Sequence, residues 1–309
     1  MLGNIKNLIN TKITLEESTH SYGLDNYPDL EFTSVTKIVD SQFPPFEKEK
    51  IAKSLTRRVP KYQHLTWEEL VQEWNDIRDH GTAVHKELEN YVKHGKSPSL
   101  NKAIWGKNCF EDKIKGFGDK IFSEVIVYSN ELKIAGTVDL IVYDSEMNEC
   151  YIFDWKTSKK IDHSYKKKAI TSACNGLTDS KIDQYSVQLS MYAYLLEEFH
   201  GIPIKEHYII HLLDNSYKVI KGKYLRKNVE LILKSYHGFD KFRNGLLSIC
   251  PYNDCDNELS IDTSLSKKPS MHIKKECPHC GRYVFYVYDL YDESGLITEN
   301  KHKDIFHYD

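Results

Sequence analysis

Residues 136–160, GTVDLIVYDSEMNECYIFDWKTSKK, decide how this chain folds. Two apolar runs flank the polar bend DSEMNE at 144–149, and each run carries one aspartate, Asp139 and Asp154. Polar turn residues between runs rich in valine, isoleucine and aromatics predict a β-hairpin. Its symmetry point falls between Glu146 and Met147, which makes Asp139 and Asp154 direct cross-strand partners. Cβ atoms of opposed residues in an antiparallel pair are only ~4.5–5.5 Å apart. Side chains alternate faces with period two, so Lys156 shares a face with Asp154 while Trp155 points into apolar surroundings. Two carboxylates so placed repel each other, and a hard divalent cation such as magnesium or manganese compensates them best. Lys156 then has a charge to offer to a hydroxide or to a phosphate gaining negative charge. A plain ion pair with Lys156 would account for one aspartate and leave the other unexplained.

Working outward, FSEVIVY (122–128), KIAGTVDLIVY (133–143) and CYIFDWK (150–156) read as three consecutive strands. HYIIHLL (207–213) reads as another. Before them, residues 12–37 look like short extended segments. TWEEL offers a capping box, Thr66 with Glu69, for a helix that runs toward Arg78. Gly81 is expected to break that helix and Thr82 to cap the next, AVHKELENYV, whose apolar face is Val84, Leu88, Tyr91 and Val92. Further helices are expected over about 108–120, after Asp183 with Val187, Met191, Tyr194 and Leu195 inward, and over 225–242. Strands interleaved with helices predict an α/β protein. With 309 residues the chain can hold one large domain and a small one, and we place the boundary at 245/246. Net charge is −3, so any nucleic-acid partner must meet a local basic surface. No apolar run reaches membrane-spanning length, and the first ten residues lack a signal-peptide pattern, so an intracellular, cytoplasmic protein is expected.

Four segments, GTAVHKELE (81–89), GTVDLIV (136–142), FDWKTS (153–158) and QLSMY (188–192), come in the order and spacing of one family. In them the sequence resembles the PD-(D/E)xK nuclease superfamily, in its RecB-like, phage-type exonuclease branch. The resemblance implies a restriction-endonuclease-like core, a mixed central sheet flanked by helices. It also implies magnesium- or manganese-dependent hydrolysis of phosphodiester bonds in DNA, in processing, recombination or repair. Asp139 and Asp154 match the metal-binding acids, His85 the histidine ligand from a preceding helix, and Lys156 the catalytic lysine. Glu124 stands where many members have another acid, the backbone carbonyl of Trp155 is an expected ligand, and Gln188 with Tyr192 match a Gln-x-x-x-Tyr helix that faces DNA. Val138 replaces the proline of the family's name. Two other readings use the same core: a catalytically silent DNA-binding or recruiting subunit, and an RNA endonuclease.

The stretch from Lys156 to Lys181 contains seven lysines against two aspartates. Lys159, Lys160, Lys166, Lys167 and Lys168 are candidates for phosphate contacts, and Tyr185, one turn before Gln188, for the substrate face. Near the end of the chain, Cys250 and Cys255, then Cys277 and Cys280, group as two knuckles of a zinc-ribbon-like module over 246–309, with His272 and His279 as substitute ligands. Some RecB-like relatives bind an iron–sulfur cluster with one cysteine ahead of the core; here all four follow it, which favours zinc. Single- or double-stranded DNA ends and a recombination or replication protein are the expected partners.

Overall fold

The elements of the computed structural model run in the order α1 (Leu2–Ile9), β1 (Ile13–Glu16), β2 (Ser21–Leu24), β3 (Thr33–Ser34), α2 (Val35–Asp40), α3 (Lys48–Arg58), α4 (Trp67–His94), α5 (Asn101–Asp112), β4 (Lys120–Ser129), β5 (Ile134–Asp144), β6 (Glu149–Lys156), α6 (Lys181–His200), β7 (Ile204–Leu212), β8 (Tyr217–Lys221), α7 (Arg226–Arg243), β9 (Leu246–Ile249), β10 (Glu258–Ile261), β11 (Ser270–Glu276) and β12 (Tyr283–Asp289). The structure describes residues 1–11, 13–16, 21–24, 31–161 and 167–243, and strands β9 to β12. Cys250, Cys255, Cys277 and Cys280, with His279 and Lys166, lie outside the described residues. The chain divides into two compact units, one of residues 1–170 and 176–226, the other of 171–175 and 227–309. In the second, β9 pairs with β10 and β11 with β12, both antiparallel. Among the described residues no helix is long and apolar enough to cross a membrane.

The first unit is built on a mixed six-stranded sheet. Strands β4, β5 and β6 are neighbours in antiparallel succession, β7 joins β6 in parallel through the α6 crossover, and β8 returns antiparallel on the outside. The short β3 lies parallel to the start of β5. A parallel neighbour requires a long connection, which explains why a 20-residue helix separates β6 from β7. Helices cover both faces, which makes this an α/β fold with a restriction-endonuclease-like core.

The β5–β6 register is Leu140↔Phe153 through Asp144↔Glu149, the pairing that the hairpin's symmetry point sets. The ladder stops one step before the aspartates, however, so Asp139 and Asp154 are not paired in it. There Asp139 Oδ2 accepts the Trp155 N–H at 2.6 Å, and a side chain takes over from the backbone. On its other edge β5 pairs Ser123↔Leu140 and Val125↔Val138, which sets Glu124 across from Asp139. Three acids therefore stand at one level of three adjacent strands. Glu124 adopts φ +54°, a left-handed conformation unusual for a side-chain-bearing residue inside a strand.

One face of the sheet carries Leu140, Val142, Phe153 and Trp155 into a core with Val84 and Leu88 of α4 and Phe110 of α5. Phe153 is fully buried, stacked on Tyr208 at 5.2 Å and edge-on to Phe117 at 5.0 Å. Truncating such a ring typically costs ~3–5 kcal/mol. By the period-two alternation, Asp154 and Lys156 project from the opposite face, where α6 lies.

Several elements differ from the sequence expectation. α4 runs unbroken through Gly81 for 28 residues, opened by the Thr66–Glu69 capping box and closed at Gly95 with φ 68°. A mid-helix glycine weakens a helix by only ~1 kcal/mol, which packing can offset, and the Thr82 hydroxyl bonds back to the Arg78 carbonyl instead of capping. α5 starts at Asn101 and ends at Asp112 instead of covering 108–120. Its start is capped from another helix: the Glu87 carboxylate accepts the N–H groups of Ser99 and Leu100. Residues 35–40, expected as extended chain at their start, form α2, with Ser34 accepting the Lys37 N–H at its N-terminus. α1 and β8 add to the elements that the sequence pattern marks, and α1 contributes buried Ile5 and Leu8.

One buried group on β7 makes the fold sensitive to acid. His207 is 3% exposed, its Nε2 lies 3.2 Å from the Lys223 carbonyl, and burial pushes its imidazole down to about 4. The unfolded chain would protonate near 6.5. Between those values the unfolded state binds more protons than the folded one, so stability rises with pH. This contribution is complete above pH 6.5 and disappears as pH falls to 4, a swing of about 3 kcal/mol. Melting at pH 7.5 and pH 4.5 should show a clearly smaller acid loss in His207→Gln than in the native chain. Equal losses in both would rule out His207 as the cause.

Candidate active site

His85 enters the site because its neighbours Val84 and Leu88 anchor α4 in the core, which presents the adjoining helix face to the end of the sheet. Its Nδ1 lies 3.4 Å from Asp139 Oδ1. Ligand atoms of His85, Glu124 and Asp139 all lie within 4.8 Å of one another. One strand over, Asp154 Oδ2 sits 2.7 Å from Lys156 Nζ. Lys156 donates to Gln188 Oε1 at 3.2 Å, and Gln188 Nε2 donates to the Tyr192 hydroxyl at 2.9 Å. The Lys156 ammonium also lies 4.7 Å from the centre of the Tyr185 ring, a cation–π distance. Gln188 and Tyr192, four apart on α6, thus converge on the lysine. Tyr192 needs room to do so: a Cβ at Gly136 would come within 2.5 Å of its ring.

Electrostatics divide the three acids. Burial works to raise Asp139, but the His85 imidazole, Lys156 and the Trp155 N–H outweigh it and hold its carboxyl below the usual range. Asp154 is raised to about 6, by burial first and then by Asp139, against the pull of Lys156. Glu124 is pushed up to about 8 by burial and by Asp139 across the ladder. Burial opposes the charge of His85 and of Lys156, yet Asp139 raises the first and Asp154 the second above its ordinary value. Lys156 therefore stays cationic at neutral pH.

The donor set fits a divalent cation. The carboxylates suit magnesium or manganese, whereas the imidazole of His85 is a donor that transition metals accept more readily. Asp154 Oδ2 is buried and, although close to Lys156, accepts no well-aligned hydrogen bond. The Lys156 ammonium offsets that buried carboxylate only in part, since Asp154 stays raised to about 6, and a metal cation beside it would complete the compensation. His85, Glu124 and Asp139 could hold such an ion, with Asp154 beside them.

All these groups except Tyr185 line one cleft of about 830 Å³, whose walls also include Arg78, Thr82, Tyr22 and Thr157. The exposed Lys159, Lys160, Lys167 and Lys168 are not among its lining residues. Tyr192 is 3% exposed, so its place is behind Gln188. The Trp155 ring is buried in the core, and its N–H is the group seen at the site.

Sequence reasoning did not assign Tyr22, whose hydroxyl meets Thr137 Oγ1 at 3.1 Å on the cleft wall, nor Lys102 and His211, which hold backbone carbonyls just after Lys156. Each acts across a long sequence separation, and no local pattern marks it.

The sequence model of the PD-(D/E)XK nuclease superfamily matches residues 33–280, most of the chain. No curated protein matches it.

Proposed function

Because the chain belongs to the PD-(D/E)XK nuclease superfamily, we propose that it is a divalent-metal-dependent DNA exonuclease of the RecB-like, phage-type branch. Its place is inside the cell, in DNA processing, recombination or repair, alongside a recombination or replication protein. One observation carries the reading: the ligand atoms of His85, Glu124 and Asp139 converge in the cleft that also receives the Asp154–Lys156 pair. A single ionic lock would use one acid and one base; here three acids gather around a histidine and a lysine.

In this reading His85, Asp139 and Asp154, with Glu124 and the Trp155 carbonyl, hold magnesium or manganese. Bound there, the cation would acidify water and neutralise charge on the phosphate. The chain's own groups do the rest. Lys156, kept cationic by Asp154 and aimed by Gln188, faces the phosphate oxygens that gain charge as the bond breaks. Water oxygen bonds to phosphorus in line with the departing oxygen, the P–O bond breaks, and a proton passes to the leaving group. No side chain need form a covalent intermediate. Gln188 and Tyr185 hold the lysine, Tyr192 backs Gln188, and Gln188 borders the strand path. Lys159, Lys160, Lys166, Lys167 and Lys168, which follow the catalytic strand, contact phosphates without reading bases.

We assign zinc to Cys250, Cys255, Cys277 and Cys280, in a ribbon-like module over 246–309 that follows a nuclease domain of 1–245. All four cysteines fall inside the matched span. A brown protein with a visible absorption band would replace zinc by an iron–sulfur cluster.

The test is digestion of end-labelled linear DNA and closed circular DNA with magnesium or manganese, by the native chain and Asp154→Asn. Shortening from the ends, absent in the variant, is expected. Equal digestion by both would remove the site. Cutting of circles would make the enzyme an endonuclease, cutting of RNA alone would change the substrate, and metal binding without cleavage would make it a silent binding subunit.

A further inference from the structure

Gly81 is buried on α4 although Arg78, Asp79, His80, Thr82 and Ala83 around it are exposed. What buries it is the end of the catalytic strand. A Cβ at position 81 would lie 2.8 Å from Thr157 Oγ1, closer than van der Waals contact allows, and 4.0 Å from Thr157 Cβ. Thr157 is the residue after Lys156, and His85 is one turn of α4 beyond Gly81, on the same side of the helix.

The strand end is held where it is. The Thr157 carbonyl accepts Lys102 Nζ at 2.7 Å, from α5. The Ser158 carbonyl accepts His211 Nε2 at 2.6 Å, from β7, and the Tyr185 hydroxyl reaches Ser158 Oγ at 3.4 Å, from α6. Lys156 itself is still registered to His211 in the β6–β7 ladder. With three elements gripping residues 156–158, the strand backbone cannot yield, so a group added at position 81 is met either by a retreat of α4 or by a turn of the Thr157 side chain.

We infer that the contact between Gly81 and Thr157 is the positioning element of the site. The absence of a side chain at 81 sets how closely α4 approaches β6, and with it the reach of His85 to Asp139. Gly81 touches no substrate and acts through His85. A methyl group there would need roughly half an ångström or more of retreat. His85 Nδ1 is 3.4 Å from Asp139 Oδ1, with little slack to absorb such a shift. The inference rests on the nuclease reading of the cleft.

The experiment measures Mn²⁺ binding to the metal-free protein by calorimetry, together with DNA cleavage and thermal melting, for the native chain, Gly81→Ala, Thr157→Ala and Gly81→Ala/Thr157→Ala. Gly81→Ala should bind Mn²⁺ about 10-fold more weakly and cleave ~10–100-fold more slowly. The double variant, which removes Oγ1 and leaves only the ordinary contact to Cβ, should recover both relative to Thr157→Ala. Should Gly81→Ala fail to fold, recovery of folding in the double variant reads the same contact. Native affinity and rate in Gly81→Ala, met by a simple turn of the Thr157 side chain, would overturn the inference, as would a loss that Thr157→Ala does not rescue. Native protein that neither binds Mn²⁺ nor cuts would instead strike the nuclease reading, so the two failures are distinguishable.

Discussion

Replacing Lys156 by alanine is expected to slow cleavage by about 10²–10³-fold under saturating metal, with Mn²⁺ still bound. Lys156 is not among the ligand atoms that gather at Asp139, so metal binding should survive its loss. What disappears is a cation held by Asp154 at 2.7 Å and by Gln188 at 3.2 Å, in a site where burial keeps water from screening it. One structural consequence must be separated from the chemical one. Without the ammonium, the 3%-exposed Asp154 keeps no counter-charge from its own strand, and it will hold its proton more tightly than in the native chain. Some loss of thermal stability therefore accompanies the variant, and rates should be compared well below its melting temperature. Gln188→Ala, which frees the lysine without removing its charge, should lose about 10-fold. Single-turnover rates and Mn²⁺ titrations of both variants check the assignment. A Lys156→Ala protein that cuts at the native rate would exclude the lysine from the chemistry.

Glu124→Gln is expected to stabilise the metal-free protein while weakening its grip on metal. Glu124 has an ordinary value of 4.5 and is raised to about 8 in the fold, by burial and by Asp139 across the ladder. Between those values the folded state holds a proton that the unfolded chain has released, so stability falls as pH rises. At pH 7 most of that penalty is present, on the order of 2 kcal/mol after allowing for the solvent that reaches this half-buried group. Glutamine keeps the shape and the left-handed backbone but not the titration, so the change isolates charge from strain. The melting temperature of the metal-free protein at pH 7 should rise by about 5 °C. The gain should vanish below about pH 4, where both states are protonated. Mn²⁺ affinity should drop by at least ~10-fold. Stability exchanged for function in this way is common where like charges are gathered for a ligand. An unchanged melting temperature together with unchanged Mn²⁺ affinity would place Glu124 outside the site, closing an exposed strand end and nothing more.

The hairpin at 136–160 was legible before any coordinates, down to its register, because strand pairing follows a local rule: polar bend, symmetric apolar arms, period-two faces. Trp155 inward and Lys156 beside Asp154 follow from the same rule, and so does the Thr66–Glu69 cap, which needs only four consecutive residues. The sequence could not say that the ladder ends at Leu140↔Phe153, since that depends on the Asp139 carboxylate taking the Trp155 N–H. Nor could it say that Glu124 stands level with Asp139, which the pairing of β4 with β5 decides. Gly81 is the clearest case. Glycine is read locally as a helix break, because its intrinsic helix propensity is low. In the fold it is the point where α4 meets Thr157, and that contact joins residues 76 positions apart. Local chemistry settles the central hairpin, the Thr66–Glu69 cap and which face of that hairpin is apolar. Groups such as His85, Lys102 and His211 acquire their neighbours only when the sheet and its covering helices close, because those distances belong to the packed whole and to no segment of it.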